Sequence, residues 1–340
     1  AKLFTYCNIK EDAFDIFGFS TRDDGPTGRI GFSEVMKMGK AIRKALLAVG
    51  LLALMAGLLR HNGPVGEAVR QGIALCGRSV IPSLFPFFVT VSFAVACGFF
   101  SLLRQLRLPL NAAVFLLGAV GGYPVGGRTV GELYRAGTIS RRQAEALLLY
   151  CNNAGPSFIL SIAGAGVFGS QRVGWALYGI HLLAALAAGG LLGAFGERAT
   201  GGNSGGKRPF IVPITADNVP FLPSIFVSVT RNATLVTVNV CAFVIFFLAL
   251  AALLRQLWPG LPPLAMGLLE LTGGVTALKN DAAGFCMAAA LLGWGGVSVH
   301  CQTAAVLEET ELSLGRYLLA KALQAVVSAL LALAVCRFLF

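Results

Sequence analysis

Residues 108–137 have the sequence LPLNAAVFLLGAVGGYPVGGRTVGELYRAG, in which an apolar leg, a glycine-rich centre and a polar segment follow one another. The leg at 108–120 is apolar enough for a membrane, but the segment after the glycines is too polar to face lipid. The centre, 121–127, contains four glycines and a proline, which favour a break in regular structure. Irregular backbone at membrane depth is tolerated only where it is buried in protein or lines a cavity. The pattern therefore predicts a re-entrant hairpin whose tip lines a cavity.

The composition of the whole chain is that of a membrane protein. Of its 340 residues, 56% are hydrophobic and 13% charged, and the mean hydropathy is +0.75, whereas a soluble domain carries about 25% charged residues. Six apolar runs approach or reach the ~20 residues that cross a bilayer as a helix: 45–59, 81–100, 108–120, 173–195, 238–254 and 317–340. A β-barrel would instead show alternating segments of about ten residues. We expect an all-α polytopic membrane protein.

The charged and reactive residues argue against several functions. The net charge of +11 comes from Lys and Arg scattered among short loops, which is typical of topology signals and not of a nucleic-acid-binding face. The eight cysteines form no CxxC pair, and most lie in apolar segments, so they predict neither a disulfide framework nor a metal site. Three histidines without an HExxH motif, a nucleophile elbow or a P-loop offer no catalytic set. We expect no nucleic-acid partner, no metal, no cofactor and no enzymatic activity.

An internal repeat organises the chain. Four matches occur in the same order along both halves: LLRQL at 102–106 and 253–257, Gly121-Gly122 and Gly273-Gly274, segment 153–157 and segment 294–298, and Gly174 and Gly315. Such self-similarity predicts two related halves, at 61–196 and 219–340. The polar, glycine-rich linker at 197–218 joins them and is flexible by composition. Residues 1–40 are predicted to be a disordered extension preceding the natural start of the membrane domain, and 41–60 the first transmembrane helix.

Each half predicts the same series of elements. An amphipathic stretch at 65–80 precedes a crossing helix at 81–100, and the hairpin follows. A capping box at Ser140 then opens a helix that is interrupted at 152–156 and ends at 168. A final crossing runs from 173 to 195. In the second half the hairpin tip is expected at 272–275, the interruption at 294–297 and the last helix at 315–338.

Counting crossings gives a topology. Three crossings in each half make the second half inverted relative to the first, and the helix at 41–60 brings the total to seven. Setting aside residues 1–35 and Arg128, fifteen Lys and Arg, Lys321 among them, fall on the side of the N-terminal flank and seven on the other. The positive-inside rule therefore predicts a cytoplasmic N-terminus and an external C-terminus.

Four interruptions would meet in this architecture, two hairpin tips and two helix breaks. Secondary transporters built from inverted repeats hold their substrate near the midplane, where broken helices leave backbone groups free and half-helix N-termini attract anions. The alternative is that these glycines only allow close helix packing. The candidate substrate-binding residues are Gly121, Gly122, Tyr123, Gly126, Arg128, Asn152, Asn153, Ser157, Thr272, Gly273, Gly274, Gly296, Ser298 and His300.

The polar candidates have alternatives of their own. Asn152, Asn153 and Ser157 are able to cap helices, Arg128 is able to bind backbone carbonyls instead of an anionic substrate, and His300 is able to serve as a buried, hydrogen-bonded side chain. Glu270 is an acid within an apolar leg, and intramembrane acids are functional hypotheses by default. It is the candidate for proton or cation coupling.

Four segments carry a resemblance to a known family: GGYPVGGRTVGELYRAGTIS from Gly121, CNNAGPSFIL from Cys151, GWGGVSVHCQ from Gly293 and IPSLFPFF from Ile81. They are similar to the YlbJ-type sporulation integral membrane proteins, a group with nucleoside-recognition Gate domains, over about residues 41–340. More distantly, the order of hairpin, broken helix and crossing resembles concentrative nucleoside transporters.

The resemblance implies a role in endospore formation, namely movement of dipicolinic acid out of the mother cell across the outer forespore membrane. The expected location is therefore the cell membrane or the outer forespore membrane, and the expected partners are a small-molecule substrate, the lipid bilayer and a coupling ion. A nucleoside substrate and a non-transport scaffold in spore assembly are the alternatives. The sequence leaves the coupling ion, the direction of flux and the oligomeric state open.

Overall fold

The computed structural model of the chain describes residues 32–97, 99–100, 109–199 and 222–340, and regular structure in these ranges is entirely helical. In the first half the elements are α1 (Phe32–Arg60), α2 (Asn62–Leu75), the π-helical turn π1 (Cys76–Val80), α3 (Ile81–Ala96), α4 (Leu110–Gly121), α5 (Val125–Arg135), α6 (Arg141–Cys151), the π-helix π2 (Ser157–Val167) and α7 (Gln171–Ala199). In the second half they are α8 (Leu222–Leu257), α9 (Pro263–Leu269), α10 (Leu271–Thr276), α11 (Ala282–Trp294), α12 (Gly296–Val306) and α13 (Gly315–Val335), followed by a short 3₁₀ turn, Cys336–Phe338.

Two compact units are distinguished, residues up to Ala56 and Gly57–Phe340. In the first unit, helix α1 begins at Phe32, nine residues before the expected first transmembrane helix, and all side chains from 41 to 50 are exposed. Residues 1–31 of the predicted extension and 200–218 of the predicted linker lie outside the described residues.

Five helices of the described residues are long and apolar enough to cross a membrane: Ala41–Arg60, Gln171–Gly193, Pro223–Leu257, Ala282–Val306 and Gly315–Phe338. They coincide with five of the seven expected crossings. The crossing expected at 81–100 is the 16-residue helix α3, which continues α2 through π1 without a break. The amphipathic stretch and this crossing are therefore one helix, not two elements. The crossing expected at 140–168 is divided between α6 and π2, of 11 residues each.

The first hairpin consists of α4 and α5, which pack against each other on either side of a tip at Gly122–Pro124. This tip lies within the predicted segment 121–127. A Cβ at Gly126, just after the tip, would overlap the backbone carbonyl oxygen of Cys151 at the end of α6. The glycine is therefore required for the close approach of the hairpin to the following helix.

The second hairpin, α9 and α10, turns at Glu270 and not at 272–275, so the predicted position of its tip was wrong. Glu270 caps α10, and Thr272, Gly273 and Gly274 lie inside that helix. The glycine pair that suggested a tip serves the contact between the legs instead, because a Cβ at Gly274 would overlap the backbone of Gly267 in α9.

The two broken helices have their interruptions where the sequence predicts them. Ser140 opens α6 with the predicted capping box: its hydroxyl accepts from the Gln143 N–H at 3.3 Å, and its own N–H donates to Gln143 Oε1 at 3.0 Å. Residues 152–155 separate α6 from π2. Gly295 separates α11 from α12, which begins at Gly296, and these two glycines have φ of 90° and 84°. These left-handed conformations favour glycine over other residues.

The packing between the two halves is reciprocal. Helix α3 packs on α8, and α7 packs on α13, so the first and last long helices of the two halves meet. The return leg of each hairpin packs on the second part of the other half's broken helix: α5 on α12, and α10 on π2. The first part of each broken helix packs on the other half's last helix: α6 on α13, and α11 on α7.

Candidate functional site

A cavity of about 230 Å³ lies where both hairpin tips, the first helix break and the start of α12 meet. Gly121, Gly122 and Tyr123 of the first tip line it, as do Glu270, Leu271 and Thr272 of the second. The first break contributes Ala154, Gly155 and Ser157, and the start of α12 contributes Ser298, Val299 and Gln302. The cavity is smaller than the ~300–1,000 Å³ pockets that hold drug-sized ligands, so its size suits a small molecule.

Each hairpin tip touches the break of the helix that follows it in the same half. A Cβ at Gly155 would lie 3.0 Å from the Cα atom of Gly122, and a Cβ at Gly296 would lie 3.1 Å from the backbone nitrogen of Leu271. The first tip also reaches the second half, because the Tyr123 hydroxyl donates to the Leu292 carbonyl in α11 at 3.0 Å. The cavity walls are thus backbone segments held in direct contact.

The wall opposite the interruptions is apolar. Two helical segments form it, with Leu75, Val80, Leu84 and Phe87 from α2, π1 and α3, and Val240 and Val244 from α8. The cavity therefore has a polar side, which carries hydroxyls, an amide and a carboxylate, and an apolar side. Pockets that bind small organic molecules combine these two kinds of lining.

Three helices of 11 residues begin beside the cavity: α5 after Tyr123, π2 at Ser157 and α12 just before Ser298. The N-terminal N–H groups of a helix lack intrahelical partners and carry partial positive charge. The cavity is consequently bordered by three positive helix ends, an arrangement that favours a negatively charged occupant.

Glu270 is the acid in this wall. It is 3% exposed, and its carboxylate accepts hydrogen bonds from the backbone N–H groups of Thr272 at 3.0 Å and Gly273 at 2.6 Å. These contacts make it the N-cap of α10. The sequence suggested a coupling group, and the structure places a capping side chain on the cavity wall.

Arg128 does not face the cavity, contrary to expectation. It is 2% exposed, forms an ion pair with Glu132 at 2.8 Å and donates to the Ser92 hydroxyl at 2.8 Å. The Ser92 hydroxyl in turn donates to Glu132 at 2.6 Å, and the Phe88 ring lies 5.0 Å from the guanidinium carbon. The guanidinium therefore joins α5 to α3. Glu132, four residues on, was a partner visible in the sequence.

Asn152 and Asn153 are fully buried at the first break and bond to protein groups, not to the cavity. The side-chain amide nitrogen of Asn152 donates to the Thr303 hydroxyl at 2.8 Å and to the Tyr317 hydroxyl at 3.1 Å. The side-chain oxygen Oδ1 of Asn152 accepts from the Gly127 N–H at 3.3 Å. Asn153 donates to the Tyr150 carbonyl at 2.7 Å. Both amides thus hold the break against neighbouring helices.

His300 also lies outside the cavity lining. Its Nδ1 is 3.2 Å from the Tyr317 hydroxyl and its ring packs 4.4 Å from that of Trp294, while its Nε2 has no partner within the described residues. Of the predicted site residues, the structure brings Gly121, Gly122, Tyr123, Ser157, Thr272, Ser298 and Glu270 to the cavity. It places Gly126, Gly273, Gly274 and Gly296 in the helix and tip contacts around it.

A buried polar cluster behind the first tip was missed by the sequence analysis. Lys321 of α13 is 0% exposed and donates to the backbone carbonyl of Asn152 and, at 2.7 Å, to Gln324 Oε1. Gln324 reaches the His181 carbonyl at 3.1 Å, and His181 Nε2 accepts from the Ala154 N–H at 3.0 Å. The count of basic residues predicted Lys321 on the cytoplasmic side of the membrane, and this prediction was wrong, because the residue is buried within α13. A lysine inside the apolar run 317–340 was itself the signal of an intramembrane site.

Fold and site together define a multi-pass integral membrane protein with a polar cavity at the meeting point of broken helices. No family model matches the chain, and no solved structure matches it. The chain is 25% identical over 333 residues to the "Sporulation integral membrane protein YlbJ" of Bacillus subtilis (strain 168), covering 85% of this chain and 81% of that protein. This similarity supports the YlbJ-type assignment that the sequence motifs indicated.

Proposed function

We propose that the chain is a membrane transporter for a small organic anion, and that the anion is dipicolinate moved out of the mother cell during sporulation. The observation that carries this proposal is the cavity lined by both hairpin tips, the first helix break and the first turns of α12. Free backbone groups inside a membrane cost several kcal/mol each when they have no partner, and a polar ligand or water in the cavity meets that need. The sporulation role rests on the similarity to the Bacillus protein.

The reciprocal packing of the two halves supports an inverted repeat. When a two-fold axis relates two halves, a contact between two elements that do not correspond to each other occurs twice, once in each direction between the halves. A contact between two corresponding elements occurs once. The pairs α5–α12 and α10–π2 follow this rule, as do α6–α13 and α11–α7. With three crossings in each half, we infer that the hairpins enter the membrane from opposite sides, in the manner of secondary transporters.

The charges around the cavity support an anionic substrate. Three helix N-termini border it, those of α5, π2 and α12. The single acid in the lining, Glu270, has both oxygens engaged by backbone N–H groups. Dipicolinate is a flat dianion with two equivalent carboxylates, and helix N-termini are sites at which carboxylates bind.

A neutral nucleoside is the second candidate, because Glu270, Gln302 and Ser298 line the same cavity. Carboxylate and amide groups are the acceptors and donors that ribose hydroxyls require. In this alternative Glu270 binds the sugar or couples a cation. A scaffold role in spore assembly is the third candidate function, and it does not explain the cavity.

The test is transport by purified protein in proteoliposomes, with radiolabelled dipicolinate and radiolabelled uridine as separate probes. Ser157 opens onto the cavity, so Ser157→Phe should fill it and reduce uptake by about tenfold or more, equivalent to at least ~1.4 kcal/mol. Ser228 is exposed on α8, and Ser228→Phe adds the same bulk away from the cavity. This control should transport normally.

Each outcome has a distinct meaning. Uptake of dipicolinate that Ser157→Phe abolishes and Ser228→Phe spares supports the proposal. Uptake of uridine alone moves the assignment to the second candidate. Normal uptake by a well-folded Ser157→Phe variant places the substrate elsewhere, and a wild-type protein that moves neither compound contradicts the proposed substrates.

A further inference from the structure

Among the described residues, Lys321 is a cation inside the membrane domain that has no partner of opposite charge. It is the seventh residue of α13, lies within the candidate span Gly315–Phe338 and is 0% exposed. No acidic side chain of the described residues lies within ion-pair distance of its Nζ. Burying an ammonium is costly unless strong acceptors replace its water, so the groups around Nζ indicate what this site is built to hold.

Those groups are the ones that bind monovalent cations at helix breaks. Nζ donates to the backbone carbonyl of Asn152, the residue at which α6 ends, and to the amide oxygen of Gln324. The faces of Tyr123 and Tyr317 lie 5.5 and 5.9 Å from it, within cation–π range. In transporters with discontinuous helices, unwound carbonyls and half-helix C-termini hold the coupling cation. Here a tethered ammonium occupies such a position.

The position of Lys321 ties the cation to the cavity. Asn152 bonds through its side chain to Gly127 of the first hairpin, to Thr303 of α12 and to Tyr317 of α13. Tyr123, whose ring faces the ammonium, lines the cavity itself. A change in charge at Lys321 therefore acts on the first tip and the first break together.

We propose that Lys321 is the coupling site of this protein, and that its reversible protonation replaces a bound Na⁺. Protonated, the ammonium holds the Asn152 carbonyl and the two rings, and so holds the break against α13. Release of the proton to water leaves a neutral amine. The charge-assisted hydrogen bonds and the cation–π attraction then weaken, because both depend on the positive charge, and the break is freed to move. This inference rests on the proposed transport function and names its coupling ion.

The other titratable groups near Lys321 are few. His181 of α7, Cys151 of α6, Tyr123 of the first tip, Tyr317 of α13 and His300 of α12 are those that face it or its partners. Helix α11, which also packs on α13, carries no charged residue. His181 Nε2 accepts a hydrogen bond and so bears no proton in this arrangement. Lys321 is thus the group at the first helix break whose gain or loss of a proton changes the charge there.

The experiment compares equilibrium exchange of dipicolinate with its accumulation driven by an imposed pH gradient. Lys321→Gln removes the charge and keeps a side-chain N–H donor, on a side chain that is one atom shorter. It should leave exchange within about threefold of wild type but reduce accumulation by about tenfold or more, a common size for coupling between sites, and it should flatten the pH profile of exchange. Lys279→Gln removes an exposed lysine and is the matched control. It should behave as wild type.

Several results would overturn the inference. Undiminished accumulation by Lys321→Gln excludes coupling at this residue, while loss of accumulation in Glu270→Gln or His300→Gln alone assigns it to those residues. Wild-type accumulation that requires Na⁺ and does not respond to the pH gradient also excludes proton coupling at Lys321. Downhill transport without any coupling leaves the transporter assignment intact and contradicts only the role of Lys321.

A second measurement needs no substrate and stands if the proposed function fails. Lys321→Ala vacates the cation position, so Na⁺ should raise the melting temperature of the detergent-purified variant above its value in N-methylglucamine. Wild-type protein, whose position is filled by its own ammonium, should melt at the same temperature in both. A variant that folds and shows no response to Na⁺ contradicts the proposed cation site.

Discussion

Arg128 and Lys321 illustrate at the residue scale how similar side chains receive different roles from their surroundings. Both are buried cations, but Arg128 has Glu132 as a partner one helical turn away, whereas the acceptors of Lys321 in the described part of the chain are neutral. A paired buried charge is a structural element whose removal exposes its partner. A buried cation without an acidic partner has to be stabilised by carbonyl oxygens and aromatic rings. Such a lysine loses its charge by releasing a proton.

We therefore predict that Arg128→Met destabilises the protein by about 3–5 kcal/mol, because it leaves the Glu132 carboxylate buried without its cation. Thermal unfolding in detergent should show the loss. The double variant Arg128→Met/Glu132→Leu removes both charges and should recover most of the stability together with transport. A double variant that folds as wild type but no longer binds an anionic substrate would return Arg128 to the role of substrate ligand.

A second prediction concerns the glycine behind the first tip. Gly126→Ala places a methyl group against the Cys151 carbonyl oxygen, which is backbone and moves only with helix α6. Such overpacking costs about 1–3 kcal/mol or more, so the melting temperature should fall clearly. Gly179 of α7 has no atom within 4 Å of its would-be Cβ, and Gly179→Ala should leave the melting temperature unchanged or slightly higher. Equal effects of the two substitutions would contradict the described hairpin contact.

At the scale of elements, the sequence predicts the order of the helices well and the second tip poorly. The first tip and both breaks were predicted from runs of Gly and Pro, which disrupt helices locally and independently of the fold. The second tip was misplaced because Gly273 and Gly274 serve a leg-to-leg contact, while the turn is made by Glu270, a residue uncommon at N-caps. Which glycine marks a turn and which a contact depends on the partner helix, and no local pattern specifies that partner.

The capping role of Glu270 leads to a third prediction. Glu270→Ala leaves the N–H groups of Thr272 and Gly273 without their acceptor and should destabilise the protein by about 0.5–2 kcal/mol, the usual value of a helix N-cap. Glu270→Asp keeps a carboxylate of the favoured capping type and should retain most of the stability. Melting curves of the two variants decide the matter, and an Asp variant as unstable as the Ala variant would show that the cap is not what Glu270 contributes.

At the scale of the whole molecule, composition and the repeat were sufficient to predict a helical membrane protein with two series of elements in the same order. The sequence offered Lys321 as a lysine in an apolar run but not its partners, since Asn152 and His181 belong to the first half and Lys321 and Gln324 to the last long helix. The cluster is recognised only when the last helices of the two halves are seen to pack together.

A fourth prediction is the orientation of the chain. With Lys321 buried, the fifteen basic residues assigned to the N-terminal side become fourteen, against seven on the other, and the bias remains. We expect the N-terminus in the cytoplasm and the C-terminus on the opposite side. Reporter fusions at both ends, each active in one compartment only, test this directly. Two ends that report the same compartment would exclude an odd number of crossings and, with it, the inverted repeat.

The unequal chemistry of the two helix breaks bears on the ancestry of the chain. With Gly174 aligned to Gly315, the counterpart of Lys321 in the first half is Ile180, a buried apolar residue. Two identical subunits related by a two-fold axis carry every residue twice, so a homodimeric ancestor would have had a lysine at both breaks or at neither. If the proposed inverted repeat arose by duplication, joining the two copies in one gene lifted that restriction and let each copy mutate alone. A single lysine at one break is then a change that was open only to the fused gene.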